Sequence, residues 1–203
     1  MSERMDFLHT RIGELDQFYN FLEKTFIRQG TQDDFENENL GILLESFRVR
    51  MEQRLRSLKT DLFYTGSENH SWFVPKGTLT HVFYNLFDNS FYWIGERQKR
   101  SDYDRQYKSN ERDYIKIEAI DSDTIHYYDS GTGIIEDLQD TLFHPFKSGK
   151  KNGRGMGLYI VKHLLESFGG NIVLLPETNN YGNRYIFSIN INSKEYEQIS
   201  ETY

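Results

Sequence analysis

Asn85-Leu86-Phe87-Asp88-Asn89-Ser90 is the stretch on which the reading of this chain turns. It lies in a segment expected to form a helix, opened by Pro75, a residue suited to a helix start, and running to about Glu96. Asn85 and Asn89 are four positions apart, so both side chains leave one face of that helix. Alone, such a pair is ordinary polar helix surface. Two downstream stretches change that reading: Asp129-Ser130-Gly131-Thr132-Gly133, and then Gly153-Arg154-Gly155-Met156-Gly157-Leu158.

Each stretch suits one part of a nucleotide. A bound triphosphate normally brings Mg²⁺, a hard cation that takes oxygen ligands and keeps several waters. The amide oxygen of Asn89, on a rigid helix, can supply one of those ligands. Asp129 ends an expected strand and opens a glycine-rich turn. There its carboxylate can accept from the exocyclic amine of adenine, while Gly131 and Gly133 let the backbone come close and take positive φ. Guanine offers a carbonyl in that place, and an unmet buried acceptor costs about 1–3 kcal/mol. Asp-Ser-Gly is also common turn chemistry. Gly153, Gly155 and Gly157 expose N–H groups just before a helix, whose positive end favours phosphate. This run lacks the Gly-Lys-Ser/Thr of a P-loop and the spacing of the dinucleotide fingerprint. Lys147, Lys150, Lys151 and Arg154 around it favour phosphate contact, although each taken singly is ordinary solvated surface. Between the glycine stretches, Phe143-His144-Pro145-Phe146 reads as an anchor that either holds a lid or docks the loop on the core.

The rest of the chain supplies a frame. Apolar residues at spacings of three and four predict an amphipathic helix over Ser2–Arg28, stopped by Gly30. A second helix is expected from about Phe35 to about Leu58, acidic early and basic late, as the helix dipole favours. Short strands are expected at Asp61–Thr65 and Trp72–Val74, then at Tyr114–Ile120 and Thr124–Tyr128. Arg97–Arg112 is polar and reads as a loop. A helix over Leu158–Phe168 stops at Gly169-Gly170, and Asn171–Leu175 and Tyr185–Ile191 close as strands. That order predicts an α+β fold, a mixed sheet with helices on one face. The net charge of −7 argues against bulk nucleic-acid binding. With no cysteine, disulfides and thiolate metal sites are excluded. No apolar run is long enough to span a bilayer. No signal pattern opens the chain, so the segment reads as cytoplasmic.

The ordered set resembles the nucleotide site of the GHKL superfamily, which includes gyrase, MutL and the sensor histidine kinases. Asn85 and Asn89 resemble its N box, Asp129 to Gly133 its first glycine box, Phe143 to Phe146 its F box and Gly153 to Gly157 its second glycine box. The resemblance covers roughly Leu40 to Ile191. It implies a two-layer α/β sandwich of Bergerat type, with ATP beneath a mobile lid, Asn89 on Mg²⁺ and Asp129 on adenine. By the same resemblance the phosphates meet Gly153, Gly155, Met156, Gly157 and Leu158, with Lys147, Lys150 and Arg154 beside them.

Hydrolytic members place Glu four residues before the magnesium asparagine, as base for water. An amide takes no proton at neutral pH, and base assistance is typically worth about 10²–10⁴-fold. Phosphoryl transfer depends mainly on positioning and charge stabilisation. Asn85 in that catalytic position therefore resembles the kinases. Many of these carry Lys or Arg three residues after the magnesium asparagine, where this chain has Tyr92. Trp93 either stacks beside adenine or fills the core.

The resemblance implies a histidine kinase catalytic domain over residues 31–203, preceded by a partial dimerisation-type helix over 1–30. His9 lacks the acidic residue and Pro of the usual H box. The phosphoacceptor histidine is expected upstream or in another chain, followed by a response regulator, and the apolar face of the N-terminal helix either pairs in a homodimer or lies on its own domain. An ATP-gated switch acting through dimerisation is the alternative.

Overall fold

The computed structural model describes residues 35–103, 112–151 and 153–191. The expected Ser2–Arg28 helix and His9 lie outside them. Among the described residues twelve elements follow one another: β1 (Phe35–Asn39), α1 (Leu40–Arg50), α2 (Glu52–Ser57), β2 (Thr60–Thr65), β3 (Ser71–Pro75), α3 (Thr78–Tyr103), β4 (Asp113–Ala119), β5 (Thr124–Asp129), α4 (Glu136–Gln139), α5 (Gly157–Glu166), β6 (Asn171–Leu174) and β7 (Ile186–Asn190).

Strands β2, β4, β5, β7 and β6 form one sheet in that spatial order, while β1 pairs with β3 in a two-stranded ribbon. The β2–β4 pair is parallel. The remaining pairs of the large sheet are antiparallel. Residues alternate along each strand, so one face of the sheet carries Ile115, Ile117, Ile125, Tyr127, Ile172, Phe187 and Ile189, all buried. The buried stripes of the helices supply Leu40, Leu44 and Phe47 from α1, Leu79, Phe83, Phe87 and Ile94 from α3, and Val161, Leu164 and Leu165 from α5. Phe87 is the hub: its ring lies 5.1 Å from Phe47 and 5.9 Å, edge-on, from Tyr127 of the sheet. Each such side chain contributes about 1.5–3 kcal/mol by leaving water. The expected α+β sandwich, a mixed sheet with helices on one face, is what forms.

Four expected boundaries are corrected. Phe35–Asn39 is a strand, not the start of a helix. Asn39 ends it: its Oδ1 accepts from the Ile42 N–H at 2.9 Å and so caps α1. The helix also breaks at Met51 (φ −103°, ψ 9°), which separates α1 from α2. Pro75 closes β3 instead of opening α3, and Gly77 makes the turn at φ +76° before the helix begins at Thr78. Finally, α3 continues past Glu96 through residues read as loop. Arg97 bonds Asp113, and Gln98 Nε2 donates to Asp113 Oδ2 at 2.6 Å and to the Leu58 carbonyl at 2.7 Å. These polar side chains keep the helix because β4 and the end of α2 supply their partners.

Candidate functional site

Between α3, the ends of β5 and β7, and the stretch leading into α5 lies a cavity of about 720 Å³. That is within the range of small-molecule sites. Asn85, Asn89, Trp93, Asp129, Gly133, Lys147, Lys150, Gly153, Arg154, Gly155, Met156, Gly157 and Leu158 all line it. Gly131, also expected in the site, does not reach the wall. Its N–H donates to Asp129 Oδ1 at 2.8 Å. A Cβ there would sit 2.7 Å from that oxygen and 3.0 Å from Trp93 Cβ. Gly131 thus shapes the site from behind.

One end is built on the core. Asp129 is the last residue of β5, where the strand delivers its carboxylate to the cavity. Its Oδ2 accepts a short hydrogen bond from the Ser90 hydroxyl. Ser90 Oγ also lies 2.8 Å from the hydroxyl of the buried Tyr127. Burial pushes the Asp129 carboxyl above the usual carboxylate range, and the bonds from Ser90 and Gly131 recover only part of that rise. Tyr127 is pushed well above the ordinary phenol value, by burial first and then by the Asp129 charge. Ser90 and Tyr127 are site residues that sequence reasoning missed. Ser90 stands next to Asn89, but only the fold brings it to a residue 39 positions away.

The other end combines α3 with the glycine-rich segment. Asn85 Nδ2 donates to the His81 carbonyl at 2.9 Å, and its Oδ1 faces Gly157 at the start of α5. A Cβ on Gly157 would lie 3.1 Å from that oxygen. The start of α5 lines this end of the cavity, and the positive end of a helix favours anions. Gly155, at φ +69°, is backed against the chain it has just left: a Cβ would sit 2.5 Å from both the Lys147 nitrogen and the Phe146 carbonyl carbon. Of the two aromatic anchors, Phe143 docks on the core, 6.3 Å and edge-on from Phe187, with Lys162 Nζ 5.3 Å above its ring. Trp93 stands in the cavity wall, where a Cβ on Gly149 would approach its indole to 3.1 Å. It is a wall of the site, not buried core.

A third cluster was not foreseen. The Asp88 carboxylate receives Lys150 Nζ at 3.0 Å and, on its other oxygen, Arg54 at 3.2 Å. Burial pulls the Asp88 carboxyl up, but the bonds and charges of Lys150 and Arg54 outweigh it and hold the group below its usual value.

A model of the family described as histidine kinase-, DNA gyrase B- and HSP90-like ATPase matches residues 76–193, more than half of the chain. Sensor histidine kinase ZraS of Salmonella typhimurium (strain LT2) is 32% identical over 139 residues, covering 66% of this chain and 27% of that protein. A probable C4-dicarboxylate sensor kinase of Halalkalibacterium halodurans is 27% identical over 189 residues, 85% of this chain and 33% of its own length. The chain therefore spans about a third or less of the curated relatives it matches. Among solved structures, the catalytic domain of histidine kinase ThkA superposes with a TM-score of 0.60 at 23% identity, over 78% of this chain and 97% of that one, a likeness of fold.

Proposed function

This chain belongs to the histidine kinase-, DNA gyrase B- and HSP90-like ATPase family, and on that premise we propose that it is the ATP-binding catalytic part of a cytoplasmic sensor histidine kinase. The carrying observation is the convergence of Asn85, Asn89, Asp129 and the Gly153–Gly157 run on one cavity. Asp129, fixed by Ser90 and Gly131, accepts from the adenine amine, and Trp93 lies alongside the base. The α5 N-terminus with Gly155 and Gly157 receives phosphate, and Lys147, Lys150 and Arg154 add positive charge.

The donor set fits magnesium. Among the described residues no group of three His, Cys, Asp or Glu can cage a metal. A cation that arrives on a triphosphate, ligated mainly by phosphate and water, needs only the Asn89 oxygen from the protein. When bound, it neutralises charge on the phosphates. Asn85 holds no proton-accepting group, so water is not activated there. The γ-phosphoryl group then passes to an imidazole, a nucleophile that needs no such base: the N–P bond forms as the bond to the β,γ-bridging oxygen breaks, and ADP leaves. We place that histidine upstream of residues 31–203 or in a second chain, with a response regulator after it and residues 1–30 as part of a dimerisation helix. No helix among the described residues is long and apolar enough to cross a membrane.

Calorimetry with a non-hydrolysable ATP analogue and Mg²⁺ tests the reading. Binding, with GTP weaker by about ten- to a hundredfold, supports it, and no binding at millimolar ligand overturns it. Rapid multiple-turnover phosphate release, abolished by Asn89→Ala, would instead favour an ATP-gated switch. Incubated alone with ATP, the chain should not phosphorylate itself, and an acid-labile phosphate on His9 would contradict the external acceptor.

A further inference from the structure

The clearest feature that the nucleotide reading leaves unused is the Asp88 cluster. Asp88 and Tyr92 are one helical turn apart on α3, on the side that meets the glycine-rich segment. Lys150 Nζ stands 3.0 Å from the Asp88 carboxylate and 5.1 Å from the centre of the Tyr92 ring. The Tyr92 hydroxyl accepts from the Lys151 backbone N–H at 3.1 Å. On the far side Arg54 grips Asp88, and its guanidinium lies 4.6 Å above the Phe91 ring. Asp88 is thus clamped between a cation from α2 and one from the segment over the cavity.

The geometry points to Asp88 and Tyr92 as a seat on α3 that positions Lys150 at the phosphate end of the cavity. This rests on the nucleotide reading for the word phosphate, and on the contacts alone for the seat. Ion pairs at a surface are worth little, but the Lys150 side chain is only 17% exposed. An ammonium so shielded from water needs a counter-charge, and the ring face adds cation–π attraction. Position 92 of α3 presents an aromatic ring, and the cation that lies against it is Lys150 from the loop. Asp88 and Tyr92 act through Lys150 and are positioning residues.

Hydrogen exchange in nucleotide-free protein tests the seat without depending on ATP. The Lys150, Lys151 and Gly153 amides each have a partner: Ser148 Oγ at 3.1 Å, the Tyr92 hydroxyl at 3.1 Å and the Lys150 carbonyl at 3.0 Å. Asp88→Asn and Lys150→Gln should each speed exchange of these amides about tenfold, and the double variant should be no faster than either single one. Tyr92→Phe should speed Lys151 alone. The β5 amides of Ile125 and Tyr127 should not change. With the Mg²⁺–ATP analogue, Asp88→Asn should weaken binding about threefold and Lys150→Gln about tenfold. Exchange of the Lys150, Lys151 and Gly153 amides within twofold of wild type in Asp88→Asn, or effects that simply multiply in the double variant, would overturn the seat even if ATP binds normally. Failure to bind ATP with the exchange pattern intact would sink the nucleotide reading and leave the seat standing.

Discussion

At the β5 end of the cavity, Asp129 is held by a hydroxyl of the central helix and a backbone N–H of the turn that follows β5, beside a packed ring cluster of Phe87 and Tyr127. At the α5 end, the segment from Lys147 to Gly157 is held by a few side-chain contacts: Lys150 on Asp88, Lys151 on Tyr92 and Gly149 against Trp93. The first end cannot change without disturbing the core. The second can rearrange at the cost of about one hydrogen bond at a time, roughly 0.5–1.5 kcal/mol each. A ligand that needs one fixed contact for selectivity and one adaptable contact for its charged tail is served by this division.

The division is broken most severely by Asn89→Ala, which removes the sole proposed protein ligand of the cation. Mg²⁺–ATP affinity should fall about a hundredfold, or about 2.7 kcal/mol, with the circular dichroism spectrum unchanged. Asp129→Asn comes next. It places an amide where a carboxylate acceptor stood, and should cost about ten- to a hundredfold in ATP affinity while narrowing the gap between ATP and GTP, read by competition with a fluorescent analogue.

Ser90→Ala should cost about three- to tenfold and carries a pH signature. Asp129 titrates above its ordinary value, from burial first. Adenine needs the ionised form, so affinity should fall with acidification at a higher pH than an ordinary carboxylate would dictate. Loss of the Ser90 bond should move that fall higher still. The linkage for folding runs the other way: a raised carboxyl contributes stability that is fully present below its unfolded value and is lost as pH rises through its folded value. Affinity and the Asp129 contribution to stability should thus change in opposite senses across the same window, checked by calorimetry and thermal melts. The smallest effect is expected from Lys147→Gln, about twofold in affinity and greater at low salt, because a single charge that lines the cavity gains little over solvent.

The motifs were legible because each is local: two asparagines on one helix face, a carboxylate at a strand end, glycines before a helix. All of those residues line the cavity, and of the glycines after Asp129, Gly133 does while Gly131 does not. What stayed hidden needed partners distant in sequence. Ser90 has no reason to matter until β5 brings Asp129 beside it, and Asp88 none until Lys150 arrives from 62 positions away. Residues 97–103 lost the apolar rhythm that announces a helix. They keep the conformation because Asp113 and the Leu58 carbonyl receive Arg97 and Gln98. The acidic residues of β1 suit a helix start, so the sequence there implies helix, whereas Asn39 places the true start five residues on from Phe35.

The contact of Gly155 with Phe146 and Lys147 has a consequence for how the segment between them can vary. Those residues enter and leave through one narrow neck, so the stretch is a closed hoop whose circumference is not measured by either neighbouring element. Lengthening or shortening it by a residue would cost little in loop entropy but would carry Lys150 and Lys151 off Asp88 and Tyr92. An alanine at the neck, by contrast, would spread it, since its methyl group has 2.5 Å in which to fit. The hoop thus depends on two fixed demands: glycine at the neck, and Lys150 and Lys151 in register with α3.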